Sequence, residues 1–332
     1  MAYLSSKDGK SKINFDRALS DQFESTGSVP KVYFVDGVSY PVIRINCNWC
    51  IGCKLRRTHE TAVRCVHEAS CYEDNCFLTL TYDDEHLPSD GSLKKDHYVN
   101  FLKRLRKRFP DRKIRYLGCG EYGDKLGRPH FHFIIFNCDF HDKKVHKLVK
   151  GVPLYTSDNL SKIWTFGFAV IGAVTFESAA YVARYCFKKV CGPSAVDHYG
   201  GREPEFSTRS LKPGLGEQWF RKYWRNVYDS DSVISRGHHM KPPAYYDLLL
   251  SREDPELFEQ IKAQRNEAQG DDLEKTPARL VVKEKVKQAR LQSLKREVDE
   301  EMRGQYEIFD MTDPFEDFLC RDDFQAELIS TA

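Results

Sequence analysis

No apolar run in the 332-residue chain approaches the roughly 20 residues needed to cross a bilayer as a helix, which excludes a spanning segment from the reading. The first ten residues carry charge without an apolar core behind it, so they lack the character of a secretory signal. There is no internal repeat and no Gly-x-x-x-x-Gly-Lys-Ser/Thr loop, which excludes nucleotide-driven chemistry of that kind. A large net charge is also missing: the formal total is +2.

That small total conceals an asymmetry. Residues 296–332 hold 12 acidic and 3 basic residues, a balance of −9, so the preceding 295 residues carry +11. A basic body suits a polyanionic partner, and an acidic tail can limit non-specific binding to it. Hydrophobic residues at 41% and charged residues at 30% describe a globular chain, long enough for one catalytic-size domain of about 200 residues plus extensions. Eleven cysteines without a secretory signal point to a reducing compartment, the cytoplasm, with thiols free or metal-bound rather than paired.

Along the chain, residues 31–38 are β-like, with Asp36-Gly37 as a turn. Cys47, Cys50 and Cys53 then make two tandem Cys-x-x-Cys steps. Three thiolates so close can hold zinc or part of an iron–sulfur cluster, yet no fourth ligand stands out, and a turn rich in buried thiols fits equally well. Residues 54–72 have the spacing of one amphipathic helix, with Leu55, Ala62, Val63, Val66 and Ala69 on its apolar side. Residues 76–82 read as the first strand of a core, closed by a loop over 83–88. Residues 94–109 put Tyr98, Phe101, Leu102, Leu105 and Phe109 on one helix face. Between Lys94 and Arg115 stand ten Lys or Arg and two Asp, which makes Lys103, Arg104, Arg106, Lys107 and Arg108 candidate DNA-phosphate contacts.

The most informative stretch is 127–136. Strand alternation sends His130 and His132 to one face and Phe131, Phe133 and Ile135 to the other. Residues 113–121 form the partner strand and 122–129, with Gly123 and Gly127, the turn, so Glu121 can face both histidines. One carboxylate and two imidazoles suit a divalent cation such as Mg2+ or Mn2+, with positions left for substrate oxygens. Arg128, just before the pair, joins the candidate DNA contacts.

Residues 143–164 read as a mixed stretch with one helix, and 168–176 as β-like. Over 177–189 a helix is expected on which Tyr181 and Tyr185, four apart, share a face that Lys188 and Lys189 can approach. Phenols beside lysines and a cation are suited to attack on a phosphodiester; an aromatic stripe packed on the core is the plainer alternative. Glycine and proline punctuate 192–216; Trp219, Phe220, Tyr223, Trp224 and Tyr228 read as core more than as a base-stacking surface. A charged helix is expected over 276–302. These boundaries give an arm over 1–72, a core over 73–192, an aromatic-rich extension over 193–270, and a charged helix with acidic tail over 271–332.

Taken in order, Phe77-Leu78-Thr79-Leu80-Thr81-Tyr82, then Gly127-Arg128-Pro129-His130-Phe131-His132, then Tyr181-Val182-Ala183-Arg184-Tyr185 with Lys188-Lys189, resemble the three motifs of rolling-circle replication initiators. These belong to the His-hydrophobic-His (HUH) endonuclease superfamily. With Cys50-Ile51-Gly52-Cys53 and Gly120-Glu121-Tyr122-Gly123, the set is similar to the replication initiation proteins of gokushovirus-type microviruses. The resemblance covers residues 40–300, with its specific motifs within 47–190. It implies an α+β fold, a central antiparallel sheet with helices on one face around an RRM- or ferredoxin-like core, plus a helical C-terminal extension. It implies His130 and His132 as the metal-binding pair, Glu121 as third ligand, and Tyr181 and Tyr185 as paired nucleophiles.

The implied activity is nicking of viral origin DNA, single-stranded at the nick, to give a 5′-phosphotyrosyl link and a free 3′ hydroxyl, then strand transfer and circularisation. Host DNA polymerase and a host helicase are the implied partners, and the host bacterial cytoplasm the implied location. Two other readings stay open on the residues alone: a relaxase-like mobilisation nuclease, and a non-catalytic single-stranded nucleic-acid-binding protein.

Overall fold

A computed structural model describes residues 2–7, 10–15, 32–35, 38–43, 51–123, 127–149, 151–184, 194–269 and 279–290. The chain divides into two units, Arg57–Arg265 and a second made of Met1–Arg56 with Asn266–Ala332. In the second unit, β1 (Ala2–Lys7), β2 (Lys10–Phe15), β3 (Val32–Val35) and β4 (Val38–Ile43) form an antiparallel sheet in the order β2-β1-β4-β3. The β-like reading of 31–38 corresponds to β3 and the start of β4, while Asp36 and Gly37 lie outside the described residues.

The unit Arg57–Arg265 opens with the greater part of helix α1 (Ile51–Ala69), followed by β5 (Asn75–Thr81) and α2 (Lys95–Arg108). The hairpin β6 (Arg115–Tyr122) and β7 (Pro129–Phe136) comes next, then a second hairpin, β8 (Lys144–Val149) and β9 (Val152–Thr156). After α3 (Asp158–Ile163), β10 (Ala169–Gly172) and α4 (Phe176–Arg184), the chain forms α5 (Ser194–Tyr199) and β11 (Phe206–Arg209). Seven of these strands make one antiparallel sheet in the order β11-β6-β7-β5-β10-β9-β8. This is the α+β architecture implied by the sequence.

Alternation along β5 and β7 sorts the sheet into two chemically different faces. Leu78 pairs with Phe133 and Leu80 with Phe131, so these residues, with Cys76 and Ile135, share a face that is completely buried. Helix α2 lays Phe101, Leu102 and Leu105 on it, and α3 adds Leu160 and Ile163, with Trp164 beside them. Arg104 of α2 donates from Nε to the Ile163 carbonyl at 2.7 Å, tying the two helices together. Gly118 of β6 leaves room for this layer: a Cβ there would lie 2.2 Å from Cε1 of Phe133.

The opposite face carries Phe77, Thr79, Leu117, Cys119, Glu121, His130, His132 and Ile134. Helix α4 packs over β6 and β7 on this side. Helix α1 is fixed to it by a buried ion pair, Glu68 with Arg115 of β6. Glu68 also accepts the Gly216 N–H at 2.7 Å, and Arg115 donates from Nη2 to the Pro213 carbonyl at 2.8 Å. Helices therefore stand on both faces of the sheet, a correction to the expected single helical layer; the site face is too apolar around Phe77 and Ile134 to remain uncovered.

Two strands escape sequence reading. β8 is the outer edge of the sheet, with Val145 and Leu148 exposed at 65% and 67% and a bulge between Val145 and Lys147, so it shows no clean alternation. β11 is the short polar run Phe-Ser-Thr-Arg, recruited from the segment read as an extension to pair with β6. Beyond it lie α6 (Glu217–Asp229), β12 (Val233–Ser235), β13 (His238–Met240), α7 (Ala244–Glu253) and α8 (Pro255–Gln269). Phe220 and Tyr228 are buried as core, Trp219 stacks on His67 with centroids 3.6 Å apart, and Tyr223 stands at the surface. Within the charged helix expected over 276–302, residues 279–290 are helical. Among the described residues no helix is long and apolar enough to cross a membrane.

Removing one member of a buried, fully hydrogen-bonded ion pair leaves the other charge stranded, at a cost of about 3–5 kcal/mol. Arg115→Met is therefore expected to lower the urea midpoint by an amount of that order. A midpoint within error of the parent would mean that the pair does not anchor α1.

Candidate functional site

Three adjacent strands bring the site together. The β6–β7 register sets Glu121 opposite His130 and Cys119 opposite His132; β5 adds Thr79 opposite His132 on the other side. Glu121 Oε1 lies 2.6 Å from His130 Nε2 and 2.8 Å from His132 Nε2. The far ring nitrogens are also held: His130 Nδ1 is 3.1 Å from the Arg128 carbonyl and His132 Nδ1 is 3.0 Å from Thr79 Oγ1. Both imidazoles thus turn Nε2 toward one carboxylate, and Phe77 stacks against His132 with centroids 5.6 Å apart.

Electrostatically the cluster is tight. Burial, the largest single influence, works to raise the Glu121 carboxyl, but the charges and hydrogen bonds of His130 and His132 outweigh it and hold the group at about 2. A depressed carboxyl contributes stability above the ordinary carboxylate range and loses it as pH falls toward that value. Glu121 Oε2, meanwhile, is buried with no hydrogen-bond partner. An orphaned carboxylate oxygen beside two oriented imidazoles, all donor atoms within 4.8 Å of one another, fits a divalent cation; this is the one such group among the described residues. The donor set of one oxygen and two nitrogens suits Mn2+ or Mg2+ with open positions better than a closed structural zinc site. His130 is the most exposed of the three side chains, at 16% against 5% and 3%.

Helix α4 delivers the phenol. Reciprocal capping between Thr175 and Ser178, at 2.9 and 3.2 Å, starts the helix, and Tyr181 points inward from it with 6% of its surface exposed. Its hydroxyl lies 3.5 Å from Glu121 Oε1 and 3.4 Å from His132 Nε2. The Arg184 guanidinium, one turn on and itself buried, sits 5.3 Å over the Tyr181 ring. Glu121, His130, His132 and Tyr181 are thus brought together as the sequence suggested.

The other expected site residues fall elsewhere. Tyr185, Lys188 and Lys189 lie outside the described residues, as do Cys47 and Cys50; Cys53 is in the first turn of α1. Arg128 sits at the mouth of the site, donating to Asp84 at 2.6 Å and to the Tyr82 carbonyl at 3.1 Å. Lys103, Arg106, Lys107 and Arg108 are exposed on α2, across the sheet from Glu121, and Arg104 is half-buried against α3. Sequence reading missed Thr79, Phe77 and Arg184. Alternation marked the first two, since they fall between the buried Cys76, Leu78 and Leu80; helical spacing marked the third, at i+3 from Tyr181.

Comparison with known proteins agrees with this geometry. A family model described as that of the replication-associated protein ORF2 matches residues 75–190, the span from β5 to just beyond α4. The replication-associated protein VP4 of Bdellovibrio phage phiMH2K is 36% identical over 258 residues, covering 74% of this chain and 80% of that one. The replication-associated protein ORF2 of Spiroplasma virus 4 is 35% identical over 236 residues, covering 67% and 72%. ORF4 of Chlamydia phage 1, also a replication-associated protein, is 32% identical over 240 residues, covering 69% and 58%. The chain belongs to the phage replication-associated protein family, of the gokushovirus type. No solved structure matches it.

Loss of a hydrogen bond that orients a metal-binding imidazole typically weakens the metal 10–100-fold. Thr79→Val is expected to weaken Mn2+ binding about tenfold in calorimetric titration, and Glu121→Ala to abolish it. Affinity should also fall as pH drops through about 6.5, where imidazoles ordinarily take up protons. Equal affinity for Thr79→Val and the parent would remove Thr79 from the site.

Proposed function

We propose that the protein initiates rolling-circle replication of a phage genome by nicking single-stranded origin DNA with Tyr181. The observation that carries this reading is the Tyr181 hydroxyl at 3.5 Å from Glu121 Oε1 and 3.4 Å from His132 Nε2, a nucleophile at the edge of the candidate metal-binding group. Family membership supports the same reading, as does the motif order from β5 through α4.

In the proposed step, Tyr181 Oη bonds to phosphorus in line with the scissile P–O3′ bond, which breaks. The phenol loses its proton, and the departing oxygen gains one to become the 3′ hydroxyl. The 5′ phosphate stays on Tyr181, conserving the phosphodiester for rejoining. Glu121, His130 and His132 would hold Mg2+ or Mn2+, which when bound supplies charge compensation on the non-bridging oxygens. The exposed side of His130 marks where a phosphate would enter, past Arg128. Arg184 positions the phenol from behind through its contact with the ring.

Tyr185 would carry out the second transfer that releases and circularises the displaced strand, with Lys188 and Lys189 nearby in sequence. Lys103, Arg106, Lys107 and Arg108 would hold flanking phosphates. A host polymerase would extend the 3′ hydroxyl and a host helicase would open the duplex, in the cytoplasm of the bacterial host. The role of the Cys47, Cys50 and Cys53 cluster in binding zinc or an iron–sulfur cluster is an independent proposal, tested by metal analysis of the purified protein.

The test is incubation with single-stranded origin-bearing DNA and Mn2+, followed by denaturing electrophoresis. A denaturation-resistant adduct is expected, lost with chelator, in His130→Ala/His132→Ala, and in Tyr181→Phe/Tyr185→Phe. DNA that shifts but never attaches covalently, on substrates spanning the whole replicon, would overturn the enzymatic reading in favour of a binding module.

A further inference from the structure

The outer face of α6 is built from cations that sit on aromatic rings. Lys222 Nζ lies 5.1 Å from the Tyr223 ring centroid and Arg225 Cζ lies 4.6 Å from that of Trp224. Lys222, Tyr223 and Arg225 are exposed, and Trp224 is partly so. Neither Lys222 nor Arg225 has a carboxylate partner among the described residues, although acids are close in sequence. Those acids are engaged internally: Glu217 with Arg221 and Tyr245, Asp231 with Arg265, and Asp247 with Arg265 and Tyr228. Asp229, at the end of α6, is the helix's remaining carboxylate. A solvated helix face would ordinarily satisfy such cations with neighbouring carboxylates at i+3 or i+4; here they are left to rings.

The helix is also joined to the site layer. Trp219, on its first turn, stacks on His67 of α1, and the β12–β13 hairpin that follows places Arg236 3.5 Å from Glu177 of α4. Glu177 stands four residues before Tyr181, a rise of about 6 Å. A strand leaving Tyr181 along α4 therefore meets the hairpin and then α6.

We propose that Lys222, Tyr223, Trp224 and Arg225 form a second contact surface for single-stranded DNA, outside the nicking site. The cations neutralise phosphates, and the adjoining rings offer platforms for unpaired bases. Duplex DNA fits less well, because its bases are already stacked on one another. This deepens the nicking reading and rests on it for the identity of the partner.

The test is fluorescence-anisotropy binding of single-stranded oligonucleotides of increasing length, in chelator and across a KCl series, to the parent and to Lys222→Glu/Arg225→Glu. Working in chelator keeps the outcome independent of nicking, so a protein that never forms an adduct can still pass or fail here. With about 0.7 of a counterion released per phosphate on a single strand, losing two contacts should lower the salt slope by about 1.4. The double variant should also lose the affinity gained on lengthening the oligonucleotide. A charge-matched control, Lys144→Glu/Lys262→Glu, should retain that gain. A length dependence and slope equal to the parent's would overturn the proposal. So would equal losses in the control, or a loss confined to duplex DNA.

Discussion

The site depends on one carboxylate oxygen shared by two imidazoles. Glu121 Oε1 reaches both Nε2 atoms only because β6 and β7 pair with Glu121 opposite His130. A slip of one residue would turn both histidines into the aromatic layer beneath α2 and bring Phe131 and Phe133 to the other face. The register is guarded from that side. Phe131 and Phe133 are completely buried against Leu78, Leu80 and Phe101, and Phe133 also fills the space that Gly118 leaves open. The apolar layer thus holds the polar one in place.

The division of labour extends to the helices. α2 and α3 close the apolar face, whereas α1 and α4 cover the other, where their polar groups reach the sheet: Glu68 to Arg115 and Tyr181 to the Glu121 cluster. Burial there sharpens the electrostatics. The Glu121 carboxyl stays ionised against the pull of desolvation because two imidazoles face it, and its second oxygen is left as an unfilled acceptor. A rigid, water-poor arrangement of this kind positions donors for a cation in advance.

Much of this was legible in the residues, for identifiable reasons. His130 and His132 announce a strand face because the intervening Phe131 and the following Phe133 and Ile135 keep strict alternation, and Glu121 follows from a hairpin whose turn glycines are explicit. Family resemblance added Tyr181 to that cluster, and helical geometry then delivers it. Less legible were β8, an edge strand wet on both faces, and β11, whose polar four-residue run has no pattern until β6 supplies its partner. The second helical layer was missed because nothing in the spacing of 54–72 says which face of which sheet it will cover. The basic run in α2 was visible as charge, but only the fold shows it lying across the sheet from Glu121.

The most direct test of the account is the site of covalent attachment. Trypsin cuts after Lys162, Arg184 and Lys188, so Tyr181 and Tyr185 fall on separate peptides, 163–184 and 185–188. After a single round with Mn2+ and single-stranded origin DNA, followed by nuclease and trypsin, mass spectrometry is expected to find residual nucleotide on 163–184. Nucleotide found only on a peptide remote from Glu121, or on none, would contradict the assignment of Tyr181 as the attacking group.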